Sequence, residues 1–264
     1  MIKKGINYLI FSHFWISLGA VGLLIGNYKI LKIDVNPLYL ALTFFATLFG
    51  YLLQYSGNQK LNKWRPLQSI WVDENKMLIL ILKWISFIIS LVLALIIFDF
   101  KHVLLSLPFL LAVLFYKKKL SFFQELRTFP AIKIFLIAAC WSWVCSVLPQ
   151  LLTKDSSISL VNLVYNFVFI IAITIPFDVR DLNSDSESIV TIPILLGKNK
   201  AVLLSMALIG LLLSHFIFIQ KFEFSLYFIL VLLTLIPSFF TKNEYYYLFI
   251  IDGVLVVFPI FAIW

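Results

Sequence analysis

Nine stretches of this chain run for about 16 to 23 residues with almost no charge, and a bilayer core is crossed by one helix of about 20 apolar residues. They fall at 6–26, 36–56, 77–99, 101–116, 131–152, 158–177, 199–219, 223–240 and 245–264. Hydrocarbon offers backbone groups no water, so such segments must satisfy their N–H and C=O groups internally, as helices do. Hydrophobic residues at 62% and a mean hydropathy of +1.02 exceed what a soluble globule can hide. The expectation is an all-α, polytopic membrane protein: one domain over residues 1–264, a bundle of about nine transmembrane helices. Only Asp99-Phe100-Lys101 separates the third and fourth stretches, so a count of eight is the alternative.

The net charge is +8. Its basic residues sit mainly in short loops between apolar stretches, which favours anionic lipid headgroups over nucleic acid as the partner. With nine spans and a cytoplasmic N-terminus, only Lys29, Lys32, Lys101, Lys154 and Lys221 of the 21 Lys and Arg residues fall on the outer side. That bias predicts a cytoplasmic N-terminus and a C-terminus on the opposite side, in the inner membrane if the chain is bacterial. Lys3 and Lys4 precede the first stretch, but no small-residue cleavage site follows, so it is expected to stay as a helix. Cys140 and Cys145, five apart within one stretch, fit packing better than a disulfide or zinc site.

One acidic run follows the sixth stretch. Asp178, Asp181 and Asp185 are spaced three and four apart, which on a helix keeps them within roughly 60° of one another. Grouped carboxylates suit Mg2+, which takes one or two of them and leaves its other positions to water and phosphate. The predicted topology puts this run on the cytoplasmic side with the basic loops after spans two and four, where an anionic head on a lipid tail would meet both metal and cations. The competing reading is a solvated acidic loop.

Asp178-x-x-Asp181-x-x-x-Asp185, then Thr191-x-Pro193, Leu196-Gly197 and Ala201, resembles the second aspartate-rich motif of the UbiA superfamily of intramembrane prenyltransferases. In that family the motif follows the sixth of nine helices, as it does here. Thr128-x-Pro130 with Lys133 resembles the basic segment before the family's fifth helix. The resemblance implies a bundle around a central cavity whose cytoplasmic mouth binds a prenyl diphosphate through Mg2+. There a lipophilic acceptor, often aromatic, is alkylated as diphosphate leaves. It further implies Asp178, Asp181 and Asp185 as catalytic and metal-binding residues. Developing charge on diphosphate needs metal or Lys/Arg, and a carbocation-like allyl group needs a dry cavity.

The family's first motif, an Asn-Asp-x-x-Asp run after the second helix, has no counterpart between Gly50 and Leu67, although Arg65-Pro66-Leu67 resembles the Arg-Pro that trails it. Three readings follow. Gln54, Asn58 and lysines hold the diphosphate with one Mg2+ on the second motif; or Asp73 or Glu74 folds back to replace the missing acids; or catalysis is gone and the scaffold binds an isoprenoid lipid or assembles with a protein.

Candidate diphosphate ligands are Lys117, Arg127, Lys133, Arg180, Asn58 and Gln54, with Lys118 and Lys119 beside them. Against this, the loop lysines serve equally as topological anchors, Lys133 as a snorkelling cation, and Arg180 as a brace for the acids. Asp252 lies inside the last stretch and is a functional hypothesis for that reason, its alternative a bond to a neighbouring helix. His13, His102 and His215 lack ligand spacing, and Asn162, Asn166 and Thr174 read as interhelical glue. A transporter is disfavoured by the lack of an internal repeat.

Overall fold

A computed structural model describes residues 2–55, 66–115, 132–153, 157–182 and 190–262. Among them there is no strand. Six helices are long and apolar enough to span a membrane, and three more apolar helices are shorter, so the chain is a multi-pass, all-α membrane protein.

The helices are α1 (Ile2–Phe11), α2 (Phe14–Leu31), α3 (Pro37–Tyr55), α4 (Pro66–Glu74), α5 (Lys76–Ile97), α6 (Phe100–Phe115), α7 (Ile132–Ser142), α8 (Leu148–Leu151), α9 (Leu160–Asp181), α10 (Ile192–Leu196), α11 (Lys198–Phe218), α12 (Phe222–Leu235) and α13 (Asp252–Phe261). A π-helical turn at Trp143–Val147 joins α7 to α8, and another at Tyr246–Ile251 leads into α13. Leu95, Phe100 and Phe218 are exposed on the outer surface, as suits a body dissolved in lipid.

The first expected span, 6–26, is divided. His13 takes a left-handed conformation (φ 66°), which ends α1 and lets α2 start afresh, so the membrane helix is Phe14–Leu31. The α1 helix instead packs on α4, with Tyr8 and Phe11 both against Trp71. The narrow boundary between the third and fourth stretches is real: Phe98 is extended, and the Asp99 carboxylate accepts the His102 N–H at 3.0 Å to start α6.

Proline explains several irregularities. Pro149 cannot continue the α-helical ladder, and the turn before it widens so that the Leu148 N–H reaches Trp143 O five residues back. Within α9, Pro176 frees the carbonyl of Ala172, and the Ser205 hydroxyl of α11 donates to that oxygen at 2.6 Å. Within α13, Pro259 frees Leu255 O, where Gly22 of α2 comes so near that a Cβ would sit 2.4 Å from it. Gly19 and Gly26 repeat the approach one turn either way, the small-residue packing expected between membrane helices.

The main core joins α2, α9, α11, α12 and α13 through residues such as Leu24, Phe169, Tyr227 and Leu255. A second cluster gathers α1, α3, α4 and α5.

Candidate functional site

The last turn of α9 carries Asp178, Arg180 and Asp181, and all three are buried. An acid at a helix C-terminus meets the unfavourable end of the dipole, so each needs compensation, and both have a cation. Asp178 Oδ1 lies 2.5 Å from Lys133 Nζ, which reaches across from the first turn of α7. Asp181 is held by a forked contact from Arg180, Nε to Oδ1 at 2.8 Å and Nη2 to Oδ2 at 3.2 Å. The Arg180 guanidinium lies over two rings, 5.2 Å from the centre of Phe177 and 5.3 Å from that of Tyr247. Its Nη1 has no hydrogen-bond partner among the described residues.

Tyr247 brings the last helix into the site. It occupies the π-turn, and the N–H of Asp252 bonds to its carbonyl, five residues back. The wide turn brings Asp252 toward the Tyr247 side of the helix, and Asp252 lies within electrostatic reach of Arg180. In an unbroken α-helix Asp252 and Tyr247 would point about 140° apart.

The residues trailing the acids shape the support. Thr191 O accepts the Ile194 and Leu195 N–H groups to begin α10, with Pro193 in its first turn. Gly197 ends that helix at φ 84°, a conformation that disfavours any side chain. Ala201, fully buried, lets α11 pack against Ile175 and Val179 of α9 just below the carboxylates.

Of the residues expected from sequence, the structure brings together Asp178, Lys133, Arg180 and Asp181. Gln54 lies in the last turn of α3. Asn58, Lys117, Arg127 and Asp185 lie outside the described residues, as do Lys118 and Lys119. Asp73 and Glu74 are exposed at the end of α4, where Asp73 pairs with Lys76 at 2.6 Å, so neither folds back to replace a missing acid. Thr174 bonds its own Ile170 carbonyl rather than another helix, whereas Asn162 and Asn166 do bridge to Asn27.

Three residues escaped the sequence reading. Phe177 and Tyr247 form the aromatic walls around Arg180; only their type signalled this, in a chain where aromatics are common. Glu244 sends both carboxylate oxygens to the N–H groups of Leu67 and Gln68, each at 3.0 Å, at the start of α4. It thereby ties the start of α4 to the helical residues that lead into the π-turn before α13.

Among the described residues no three His, Cys, Asp or Glu side chains are grouped to hold a metal. The chemistry of the two buried carboxylates nonetheless fits Mg2+, which needs only one or two such oxygens from protein when phosphate supplies others.

A family model described as the UbiA prenyltransferase family matches residues 57–248. A solved structure described as digeranylgeranylglyceryl phosphate synthase in membranes aligns with TM-score 0.55 and 21% identity, over 100% of this chain and 99% of that one. At that identity the likeness speaks to fold. No curated protein matches the sequence.

Proposed function

The chain belongs to the UbiA prenyltransferase family, and we propose that it transfers a prenyl group from a polyprenyl diphosphate to a lipophilic acceptor of aromatic type at the end of the bundle that carries Asp178 and Asp181. The observation that carries this reading is the buried group of two carboxylates and two cations, Lys133 with Asp178 and Arg180 with Asp181, on the motif that resembles the family's own. In the reaction the C–O bond to diphosphate breaks with its electron pair leaving on oxygen. The acceptor's electrons form the new bond to the allylic carbon, and its displaced proton passes to solvent.

Asp178, Asp181 and Asp185 would hold Mg2+, which neutralises charge on the diphosphate when bound. Arg180, with an Nη1 not used by the described residues, and Lys133 would add hydrogen bonds to the same oxygens. Lys117, Arg127, Asn58 and Gln54 complete the proposed diphosphate set. Phe177 and Tyr247 keep the guanidinium turned inward and limit water around it. The basic-residue bias supports a cytoplasmic position for this end and for the N-terminus.

A second reading is a non-catalytic member that binds an isoprenoid lipid or serves as an assembly subunit. The absent first motif favours it, and so does the pairing of each described acid with a protein cation, which leaves no charge that demands a metal. The discriminating experiment measures geranylgeranyl diphosphate binding to the protein in nanodiscs, with and without Mg2+. Wild type is compared with an Asp178→Asn/Asp181→Asn/Asp185→Asn variant. Binding that requires both metal and aspartates supports transfer; its absence in well-folded wild type overturns that reading for this donor.

A further inference from the structure

A cavity of about 340 Å3 opens at the opposite end of the bundle from Asp178. Its wall comes from the last turns of α2, the first turns of α9, the junction of α11 with α12, and the end of α13. Along α9 it runs from Ser159 to Phe169, roughly 15 Å at 1.5 Å per residue, and stops nine residues short of Asp178. It is therefore a separate site. The volume lies within the usual range for a ligand pocket, about 300–1,000 Å3.

The lining divides by chemistry. The deep part is aromatic, with Phe169, Phe216, Phe228 and Phe258. One side carries a polar ladder: Asn27 donates to Asn166 at 2.9 Å and accepts from Asn162 at 3.0 Å, and Tyr165 is hydrogen-bonded to His215. The mouth carries Lys29, Lys32 and Lys221. Among the described residues no carboxylate lines it; Asp34 and Glu223, close by in sequence, are not in the wall.

The three lysines run against the charge distribution of the whole chain. Only five of its 21 basic residues fall at this end on the expected topology, and three of those five border this one cavity. Basic residues placed where topology disfavours them, around a pocket whose described lining holds no acid, complement a negative charge. An aromatic floor beneath a cationic rim complements an amphiphile.

We infer that this cavity binds an anionic phospholipid from the leaflet at that end, its phosphate among Lys29, Lys32 and Lys221 and the start of a chain against the phenylalanines. The inference does not depend on prenyl transfer, since neither the acids nor a metal takes part.

The test reconstitutes the full chain in nanodiscs containing a photoactivatable phosphatidylglycerol or the matching phosphatidylcholine and maps the labelled peptides. Phosphatidylglycerol is expected to label residues 159–169 and 215–228 preferentially. Lys29→Gln/Lys32→Gln/Lys221→Gln should weaken the binding behind that labelling about a hundredfold, because each lysine near a headgroup contributes a factor of about five. Val161→Trp, at the exposed edge of the mouth, should block it without removing charge. Soluble glycerol phosphate should not compete; if it does, the site reads a free phosphate and the lipid assignment fails. Equal labelling by the two lipids, or labelling that both variants leave unchanged, overturns the inference.

Discussion

Lys133 on α7 and Asp178 on α9 meet at 2.5 Å with the carboxylate buried, so an ion pair joins the two helices at the end of the bundle that carries the acids. A buried charge that loses its partner is costlier than a pair that was never there. Lys133→Met is therefore expected to destabilise the protein by about 3 kcal/mol, and Asp178→Asn by somewhat less, since Lys133 still reaches water. The double variant should recover more than half of the loss. Thermal unfolding of the four proteins in one detergent measures the coupling; additive losses would mean that the pair contributes nothing as a pair.

The contact between Gly22 and Leu255 gives a second prediction. A methyl group at position 22 would lie 2.4 Å from the carbonyl that Pro259 leaves without its helical donor, and backbone cannot move aside as a side chain tip can. Gly22→Ala should cost about 1–3 kcal/mol through separation of α2 from α13. Gly210→Ala is the control, because nothing lies within 4 Å of its Cβ position. There the gain in helix propensity, about 0.5–1 kcal/mol, should appear unopposed. Unfolding midpoints of the two variants moving in the same direction would refute the packing account.

Much of this arrangement was legible in the sequence because membrane helices announce themselves by length. The residues at 77–99 and 199–219 became α5 and α11 within two residues or so, whereas α9 runs past the expected end at 177 and carries Asp178 and Asp181 on its last turn. The break at His13 was not legible, since nothing but a backbone torsion distinguishes it within an apolar stretch. Nor were the partners chosen by each acid. Asp178 and Asp181 are three apart and share a face, yet one turns to Lys133, 45 residues away in sequence, and the other to its neighbour Arg180. Tertiary packing decides such choices. Tyr247 meets Arg180 from a π-turn, a local widening of the helix that no periodicity of 3.6 predicts.

Acid should loosen the start of α6. The His102 N–H bond, the largest influence on Asp99, holds its carboxyl below the ordinary 3.8, with the nearby imidazole acting in the same direction. A carboxyl whose folded value is depressed contributes stability above its unfolded value and loses that contribution as pH falls through the folded one. The expected result is normal protection of the amides of residues 100–103 at pH 6, with lower protection relative to the intrinsic exchange rate as pH drops below about 4. Asp99→Ala should show the same fraying already at pH 6. Because Asp99 is exposed, global unfolding should move little in either case.

The π-turn before α13 holds one residue more than an α-helix of the same reach, and Tyr247 near its start walls in Arg180. Deleting Ile250, which faces outward, lets the segment close as an ordinary α-helix in which Asp252 follows Tyr247 by four residues, about 40° away and so on the same face. The deletion is therefore expected to keep the ring over the guanidinium, whereas Tyr247→Leu removes it and should lower stability by about 1–2 kcal/mol. Thermal unfolding of the deletion and of the substitution checks this, with Ile260→Ala as a lipid-facing control. If the deletion costs as much as Tyr247→Leu, the π-turn itself and not the ring over Arg180 holds this end of α13 in place.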